Sequence, residues 1–108
     1  GGIGVHPEDV AHMKRTADRL FGDNYVWSVL GAGRNQLPIA AQSLSMGGHV
    51  RVGLEDSLWL GKGRLAMKNA DQVKAARQMI EGLGLSVASP DEARRILMLK
   101  GKDRVRIP

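Results

Sequence analysis

The sequence contains no cysteine and few aromatic residues, with one phenylalanine, one tyrosine and two tryptophans among 108 residues. Without cysteine, disulfide bridges and thiolate metal sites are excluded. No apolar run approaches the roughly 18 residues that a membrane-spanning helix needs. The N-terminal stretch GGIGVHPED has neither the basic nor the apolar part of a signal peptide. These absences favour a cytoplasmic protein with no membrane partner.

Acidic residues are outnumbered by basic ones, which gives a formal net charge of +5. Four basic residues near the C-terminus resemble a solvated tail: Lys100, Lys102, Arg104 and Arg106. A small standalone module that binds nucleic acid or an acidic partner through this tail is therefore an alternative. An anionic small ligand, such as a phosphate-bearing cofactor, explains the charge equally well. Because the basic residues do not form one block, charge alone gives nucleic-acid binding little support, and we predict no nucleic-acid partner.

Hydrophobic periodicity and capping residues predict an alternation of strands and helices. Strands are predicted at 25–30 and 50–54, and helices at 7–21, 37–46, 70–82 and 90–99. A longer loop runs from the second strand to Lys68. Strands separated by helices pair in parallel through right-handed crossovers. Because two parallel strands with four helices make a poor closed sheet, we expect this chain to be one segment of a larger α/β domain.

Two adjacent carboxylates, Glu55 and Asp56, follow the second predicted strand. Side-chain alternation along a strand places Arg51 and Glu55 on the same face. One interpretation is structural, with Arg51 and Glu55 forming an ion pair that closes the strand. The other is functional: a glutamate at a strand end can ligate a divalent metal, and an aspartate beside it can take a proton when an arginine orients it. Spacing alone leaves both open.

A glycine-rich turn, Gly31–Gln36, follows the first predicted strand and precedes a helix. With Glu55 further along, its first two glycines are similar to part of a dinucleotide-binding fingerprint, but Gln36 stands where the third glycine is needed. A tight turn whose backbone amides and Arg34 face an anionic group is the favoured interpretation. A plain turn with a solvated arginine is nearly as well supported.

The stretch GGHVRVGLEDSLWLGKGRLA, residues 47–66, resembles the β-keto acid cleavage enzymes, the family that contains 3-keto-5-aminohexanoate cleavage enzyme. The resemblance extends through HMKRTADRLFG (12–22), residues 27–48 and ASPDEARRIL (88–97), and it is to the last part of the family's sequence. It implies that residues 1–108 are a C-terminal segment of a (β/α)8 TIM barrel, roughly its last two to three βα units. The two predicted strands would then be the seventh and eighth of the barrel.

The resemblance also implies an activity and a set of site residues. Such enzymes are zinc-dependent acyltransferases that condense a β-keto acid with acetyl-CoA, releasing acetoacetate and an acyl-CoA. By resemblance, Glu55 would be a zinc ligand, Asp56 the catalytic base and Arg51 its charge partner. Arg34 and Asn35 would face the substrate or CoA from the preceding loop, since the loops after strands seven and eight often bind phosphate in this fold. A homo-oligomer is expected for the intact protein.

One departure from the family pattern concerns the metal. The family's zinc site also uses two histidines of a His-x-His pattern, and this sequence contains none. Its histidines, His6, His12 and His49, share no metal-ligand spacing. Because a single carboxylate does not hold zinc, we predict that this isolated chain is inactive and binds zinc weakly or not at all.

Overall fold

Helices and short strands alternate along residues 2–107, which are the residues that this computed structural model describes. The α-helices are α1 (Pro7–Phe21), α2 (Gln36–Ser45), α3 (Asn69–Gly82) and α4 (Pro90–Ile96). The strands are β1 (Ser28–Val29), β2 (His49–Val50), β3 (Trp59–Gly61) and β4 (Arg64–Leu65). Short 3-10 helices lie at Gly33–Asn35 and Lys102–Arg104. The architecture is mixed α/β, and no helix within residues 2–107 is long and apolar enough to cross a membrane.

Capping residues explain where α1 and α4 begin. Each helix has proline in its first turn, and the residue before it accepts a hydrogen bond from the new helix. The Nδ1 atom of His6 accepts from the Glu8 amide at 3.1 Å, and the Ser89 hydroxyl accepts from the Glu92 amide at 3.2 Å. Such bonds satisfy donors that have no partner inside the helix.

The last helix is shorter than the 90–99 that periodicity predicts. It ends at Ile96 because Met98 adopts a left-handed conformation with φ of 51°. The Leu99 amide then donates to the Arg94 carbonyl at 2.9 Å, which is the closing bond of a Schellman motif. This motif usually has glycine at the left-handed position. Because methionine stands there instead, nothing in the sequence indicates that the helix ends at this point.

The strands β1 and β2 form a parallel pair with α2 as the crossover between them. The His49 amide donates to the Trp27 carbonyl and the Arg51 amide to the Val29 carbonyl, both at 2.9 Å. Gly48 is required beside this pair, since a Cβ atom there would lie 2.7 Å from the Trp27 ring.

Both strands of the pair are shorter than predicted. The ladder covers only two residues in each strand instead of 25–30 and 50–54. Past Arg51 the chain bends, because the Asp56 and Ser57 amides both donate to the Gly53 carbonyl at 3.2 Å. Residues 53–57 therefore form a turn. The prediction of a strand over 50–54 is wrong beyond Val50, where the strand ends.

The predicted loop up to Lys68 contains an antiparallel hairpin. In it, Trp59 pairs with Leu65 and Gly61 with Arg64, across a turn formed by Lys62 and Gly63. Gly63 has φ of +73°, a conformation that glycine adopts without steric cost. The two strands are too short for hydrophobic alternation to indicate them in the sequence.

The small core lies around α2. Its buried apolar side chains are Val10, Ile39, Ala40, Leu44 and Ala76, and its buried polar ones are Gln36, Ser43, Ser57 and Gln72. The helix α1 packs on α2, and the Gln42 side chain donates to the Pro7 carbonyl at 2.7 Å. Much apolar surface stays open elsewhere: Leu20 is 63% exposed and Phe21 60%. The best-buried part of the molecule is thus the part that supports the turn at 53–57.

Candidate active site

The turn at residues 53–57, here the acidic turn, presents Glu55 and Asp56 directly after the parallel pair. Side-chain amides hold it from two helices. The Gln36 amide nitrogen donates to the Gly53 carbonyl at 3.1 Å, and the Gln72 amide nitrogen donates to the Ser57 carbonyl at 2.5 Å. Both glutamines are buried, with 1% and 0% of their surface exposed.

A third amide completes this support. The Oδ1 atom of Asn69, at the start of α3, accepts from the Leu54 amide at 2.8 Å. Removing a polar group from water costs free energy unless it is hydrogen-bonded. The three amides therefore fix the backbone of the acidic turn between the first turns of α2 and α3.

Sequence reasoning missed these supporting residues. The sequence indicated Gln36 only as a departure from a glycine fingerprint, and neither Asn69 nor Gln72 was assigned a role in the site. A signal did exist in α3, because Gln72 lies one turn before the buried Ala76 and three residues after Asn69. A glutamine on the buried face of a helix indicates a backbone partner there.

The glycine-rich turn contacts the acidic turn directly. The Gly33 amide donates to the Asp56 carbonyl at 2.7 Å. Gly31 is needed where the glycine-rich turn packs against the start of α2, since a Cβ atom there would lie 2.8 Å from the Asn35 carbonyl oxygen and 3.0 Å from Ile39. The two motifs that the sequence singles out, 22 residues apart at Gly33 and Glu55, thus share one site.

Arg51 bridges both carboxylates of the acidic turn. Its guanidinium is hydrogen-bonded to Glu55, and its Nη2 atom lies 3.2 Å from the Oδ2 atom of Asp56. Strand alternation predicts the contact with Glu55, but its observed cause is the turn that begins at Gly53. The observed geometry therefore fits both interpretations: an ion pair of Arg51 with Glu55 that closes the strand, and an arginine that orients neighbouring carboxylates for chemistry.

The two carboxylates differ in their access to solvent. The side chain of Glu55 is 72% exposed, whereas that of Asp56 is 15% exposed. The Oδ2 atom of Asp56 is buried and accepts no hydrogen bond from residues 2–107, even though Arg51 is close. Buried polar oxygens usually accept hydrogen bonds. Within the described residues the Oε1 atoms of Gln36 and Gln72 share this lack of a partner, whereas Asp56 Oδ2 has the Arg51 guanidinium at 3.2 Å.

The described residues do not complete a metal site. Within residues 2–107 no group of three histidine, cysteine, aspartate or glutamate side chains could hold an ion. A catalytic zinc takes three protein ligands, and carboxylate oxygen is one accepted type. Glu55 thus fits as one ligand, but the side chains present do not hold zinc by themselves.

Arg34 and Asn35 stand apart from the carboxylates. Arg34 is exposed, forms no ion pair within the described residues, and lines a cleft of about 780 Å³ between α2 and the β3–β4 hairpin. Asn35 is half-buried, and its backbone packs on Gly31. Neither side chain bonds to Glu55 or Asp56 in the described structure.

A second charged cluster lies at the other end of the parallel pair. The Nζ atom of Lys14 is 2.6 Å from Asp18, and the Tyr25 hydroxyl donates to the same Asp18 oxygen at 2.5 Å. The hydrogen bond with Asp18 raises the pKa of Lys14, and the hydrogen bond from Lys14 lowers the pKa of Asp18. Lys14 also lies over the Tyr25 ring, 5.1 Å from its centroid. This cluster ties α1 to the segment that leads into β1.

Comparison with known proteins finds one family. A sequence model described as beta-keto acid cleavage enzyme matches residues 1–99. A protein of Paraburkholderia graminis named 3,5-dioxohexanoate:acetyl-CoA acetone transferase is 63% identical over 101 residues, covering 94% of this chain and 33% of that protein.

Two further relatives carry the name 3-keto-5-aminohexanoate cleavage enzyme. The protein of Fusobacterium nucleatum is 49% identical over 74 residues, covering 68% of this chain and 27% of its own length. That of Acetoanaerobium sticklandii is 37% identical over 97 residues, covering 90% of this chain and 34% of its own length. The chain thus spans about a third or less of the length of these relatives.

Proposed function

The chain belongs to the β-keto acid cleavage enzyme family, and we propose that it is part of an acyltransferase that condenses a β-keto acid with acetyl-CoA. The products would be acetoacetate and the CoA ester of the remaining acyl group. This membership, which spans residues 1–99, supports an enzyme over the alternative of a standalone basic module that binds nucleic acid or an acidic partner. No specific observation favours that alternative.

We propose that the chain forms the C-terminal βα units of a (β/α)8 barrel. Exposed apolar surface supports this, because Leu30, Leu85 and Leu97 are each about half exposed, at 49%, 48% and 51%. Among the described residues 21 large hydrophobic side chains are exposed and only five hydrophobic ones are buried, a balance that favours a missing partner segment. Further strands beside β1 and β2 would cover this surface, and they would also complete the parallel sheet. The β1 and β2 strands would then be the seventh and eighth of the barrel.

The catalytic base of the proposed reaction is Asp56. Its carboxylate would remove a proton from the carbon between the keto and carboxylate groups of the substrate. That carbon then bonds to the thioester carbonyl carbon of acetyl-CoA, and the C–S bond of the thioester breaks to release the CoA thiolate. The thiolate adds to the keto carbon of the original acid, and the bond between that carbon and the deprotonated carbon breaks. The acyl-CoA and acetoacetate result, with the proton on Asp56 returned to acetoacetate. The observation that carries this role is the sheltered Oδ2 atom of Asp56, 3.2 Å from Arg51 and without a hydrogen bond. Arg51 would orient the carboxylate toward the substrate.

Glu55 is proposed as one ligand of a zinc ion. Its exposed carboxylate, beside Asp56 at the same turn, supports this role. Because one carboxylate does not hold zinc, the other ligands would lie outside this chain. We therefore propose that the isolated chain is inactive, and calorimetry that gave a tight single-site zinc isotherm on it would contradict this.

The names of the relatives suggest substrates to test. The relative that is 63% identical is named for 3,5-dioxohexanoate, and two others are named for 3-keto-5-aminohexanoate. We propose 3,5-dioxohexanoate as the first candidate, because identity is highest to the protein named for it among these relatives. A cytoplasmic location is proposed because acetyl-CoA is an intracellular metabolite. A homo-oligomer is proposed for the intact protein on the family resemblance.

The proposed reaction is tested by product analysis. The intact enzyme is incubated with acetyl-CoA and each β-keto acid in turn, and acetoacetate and the new CoA ester are measured by mass spectrometry. We expect equal amounts of both products, with zinc present in the active protein. Carbon-13 in the acetyl group should appear in acetoacetate and not in the new CoA ester. Label in the CoA ester, or no acetoacetate from any β-keto acid, would refute the proposal.

A further inference from the structure

A cleft beside the acidic turn has the chemistry of an anion-binding site. It lies between the N-terminal half of α2, Met79 of α3 and the β3–β4 hairpin, and we call it the hairpin cleft. Its volume is about 780 Å³, within the range of about 300–1,000 Å³ typical of small-molecule sites. Leu37 and Pro38 contribute an apolar floor. The cleft therefore offers room and apolar surface to a ligand of nucleotide size.

The rim of the hairpin cleft is cationic. Arg34 reaches it from the glycine-rich turn and Lys62 from the tip of the hairpin, and no carboxylate side chain lines it. Both cations are exposed, and neither forms an ion pair within residues 2–107. Two unpaired cations on opposite walls favour an anionic ligand between them.

The neighbouring surface adds to this positive field. Arg64 and Lys74 line an adjoining hollow together with one acid, Asp71. The Asp71 carboxylate already accepts the Met67 amide at 3.0 Å and the Lys68 amide at 3.1 Å, so it is engaged in capping α3. The field around the hairpin is thus positive on both faces.

The hairpin cleft is connected to the acidic turn through one residue. Gly33 lines the cleft and donates its amide to the Asp56 carbonyl at 2.7 Å. A long ligand seated in the cleft can therefore extend along this loop toward the Asp56 side chain. Trp59 also lines the cleft and is 39% exposed, so part of its ring is free to pack against a flat group.

We propose that the hairpin cleft binds the nucleotide end of coenzyme A. Arg34 and Lys62 contact its phosphates, Trp59 packs on its adenine, and the pantetheine arm runs past Gly33 toward Asp56. This inference rests on the proposed function, which names acetyl-CoA as co-substrate. It adds the hairpin, and Lys62 and Trp59 in particular, to the residues that recognise the substrate.

The test distinguishes contacts with the nucleotide of acetyl-CoA from contacts with its thioester. Lys62→Gln is compared with Lys102→Gln, which neutralises an exposed lysine that does not line the cleft. KM is measured on the intact enzyme for acetyl-CoA and for S-acetyl-N-acetylcysteamine, a thioester without a nucleotide. We expect Lys62→Gln to raise KM for acetyl-CoA roughly three- to tenfold, because it removes one exposed charge contact. KM for the truncated thioester and all constants of Lys102→Gln should stay unchanged.

Direct binding distinguishes the two proposals. Calorimetry measures the Kd of free CoA and of adenosine 3′,5′-bisphosphate on the wild type, Lys62→Gln and Trp59→Leu. Weaker binding of both ligands to both variants supports the hairpin cleft. An unchanged Kd, or an equal rise in KM for both thioesters, overturns it. If no acetoacetate forms from either thioester, the proposed function fails, and the Kd values still decide whether the cleft binds CoA.

Discussion

Asp18 and Asp56 are two aspartates that each lie beside a basic side chain, and they have opposite surroundings. Asp18 accepts bonds from Lys14 at 2.6 Å and Tyr25 at 2.5 Å, and its side chain is 49% exposed. Asp56 lies 3.2 Å from Arg51, is 15% exposed, and its buried Oδ2 atom accepts no hydrogen bond from residues 2–107. The Asp18 carboxylate is therefore hydrogen-bonded and half exposed to solvent, whereas the Asp56 carboxylate is mostly buried and its Oδ2 atom accepts no hydrogen bond within the described residues.

This difference is what we expect between a structural charge, Asp18, and the proposed general base, Asp56. The bonds to Asp18 involve its carboxylate directly, so they stabilise the ionised form and leave less acceptor capacity for a substrate. The bonds around Asp56 go to the backbone of its turn, through Gln36, Gln72 and Gly33. They position the carboxylate without occupying its oxygens, as a general base requires.

The largest expected effect comes from removing the sheltered carboxylate. Asp56→Asn should lower kcat of the intact enzyme by about 10²–10⁴-fold, the usual contribution of a general base. Asp18→Asn should leave kcat nearly unchanged. Acetoacetate formation measures both, and zinc content and circular dichroism show that the variants are folded. If Asp56→Asn kept near-normal turnover, Asp56 would not be the general base, and its role would not differ from that of Asp18.

The neighbouring carboxylate should affect metal content more than stability. Glu55→Gln removes the charge of a side chain that is 72% exposed, so we expect little change in the thermal midpoint. We expect bound zinc to fall at least tenfold at a fixed free concentration, because a neutral amide is a poor zinc ligand. Plasma emission spectroscopy after dialysis measures the metal. Full zinc occupancy in Glu55→Gln would show that another group is the ligand.

The support of the acidic turn is tested by Gln72→Met. The change keeps the length of the side chain but leaves the buried Ser57 carbonyl without its donor, which costs about 1–3 kcal/mol. Urea unfolding of the intact enzyme should show that loss. Gln78→Met on the exposed face of α3 serves as the control and should change stability by less than about 0.5 kcal/mol. If the two variants were equally stable, the hydrogen bond from Gln72 would not help to stabilise the acidic turn.

The smallest effect is the acid dependence of the Asp18 cluster. Its hydrogen bonds lower the pKa of Asp18 in the folded state, so between that pKa and the unfolded value of about 4 the unfolded state binds more protons. The stabilisation is therefore present above about pH 4 and is lost as pH falls through the lowered folded pKa. The thermal midpoint of the wild type should fall more steeply on acidification than that of Asp18→Asn.

A control separates this effect from general acid denaturation. Asp103→Asn changes an exposed aspartate that accepts no side-chain hydrogen bond within the described residues. Its acid profile should follow the wild type, measured by calorimetry between about pH 2 and pH 6. If Asp18→Asn also follows the wild type, the bonds from Lys14 and Tyr25 contribute nothing to folding.

Helices were predictable from local signals, and the hairpin was not. Proline and a capping side chain indicate where α1 and α4 begin, because a helix start needs acceptors for its free amides. In the β3–β4 hairpin, two strands of three and two residues carry too few side chains for a periodic pattern. The early end of α4 at Ile96 was equally hidden, since Met98 gives no sign of a left-handed conformation.

The site was predictable in part. Adjacent carboxylates and a nearby arginine indicate chemistry at Arg51, Glu55 and Asp56, and the structure brings these three together. Strand alternation was the wrong reason, since a turn at Gly53 makes the contact. Arg34, which was expected to face the substrate or CoA, lines the hairpin cleft, and its binding role stays a prediction. The hairpin that forms the other wall of this cleft was not foreseen.

The sequence by itself determined the residue types of the site and the approximate positions of the helices, because those depend on local composition and spacing, and its resemblance to known sequences indicated the family. Only the tertiary structure decided which carbonyl and carboxylate oxygens of the site accept hydrogen bonds. It brought Gln36 and Gln72, from two separate helices, onto the backbone of one turn. It also left the Asp56 side chain sheltered with a free acceptor. The reason is physical: burial and hydrogen bonding between distant segments depend on how the helices pack, and no local pattern encodes that packing.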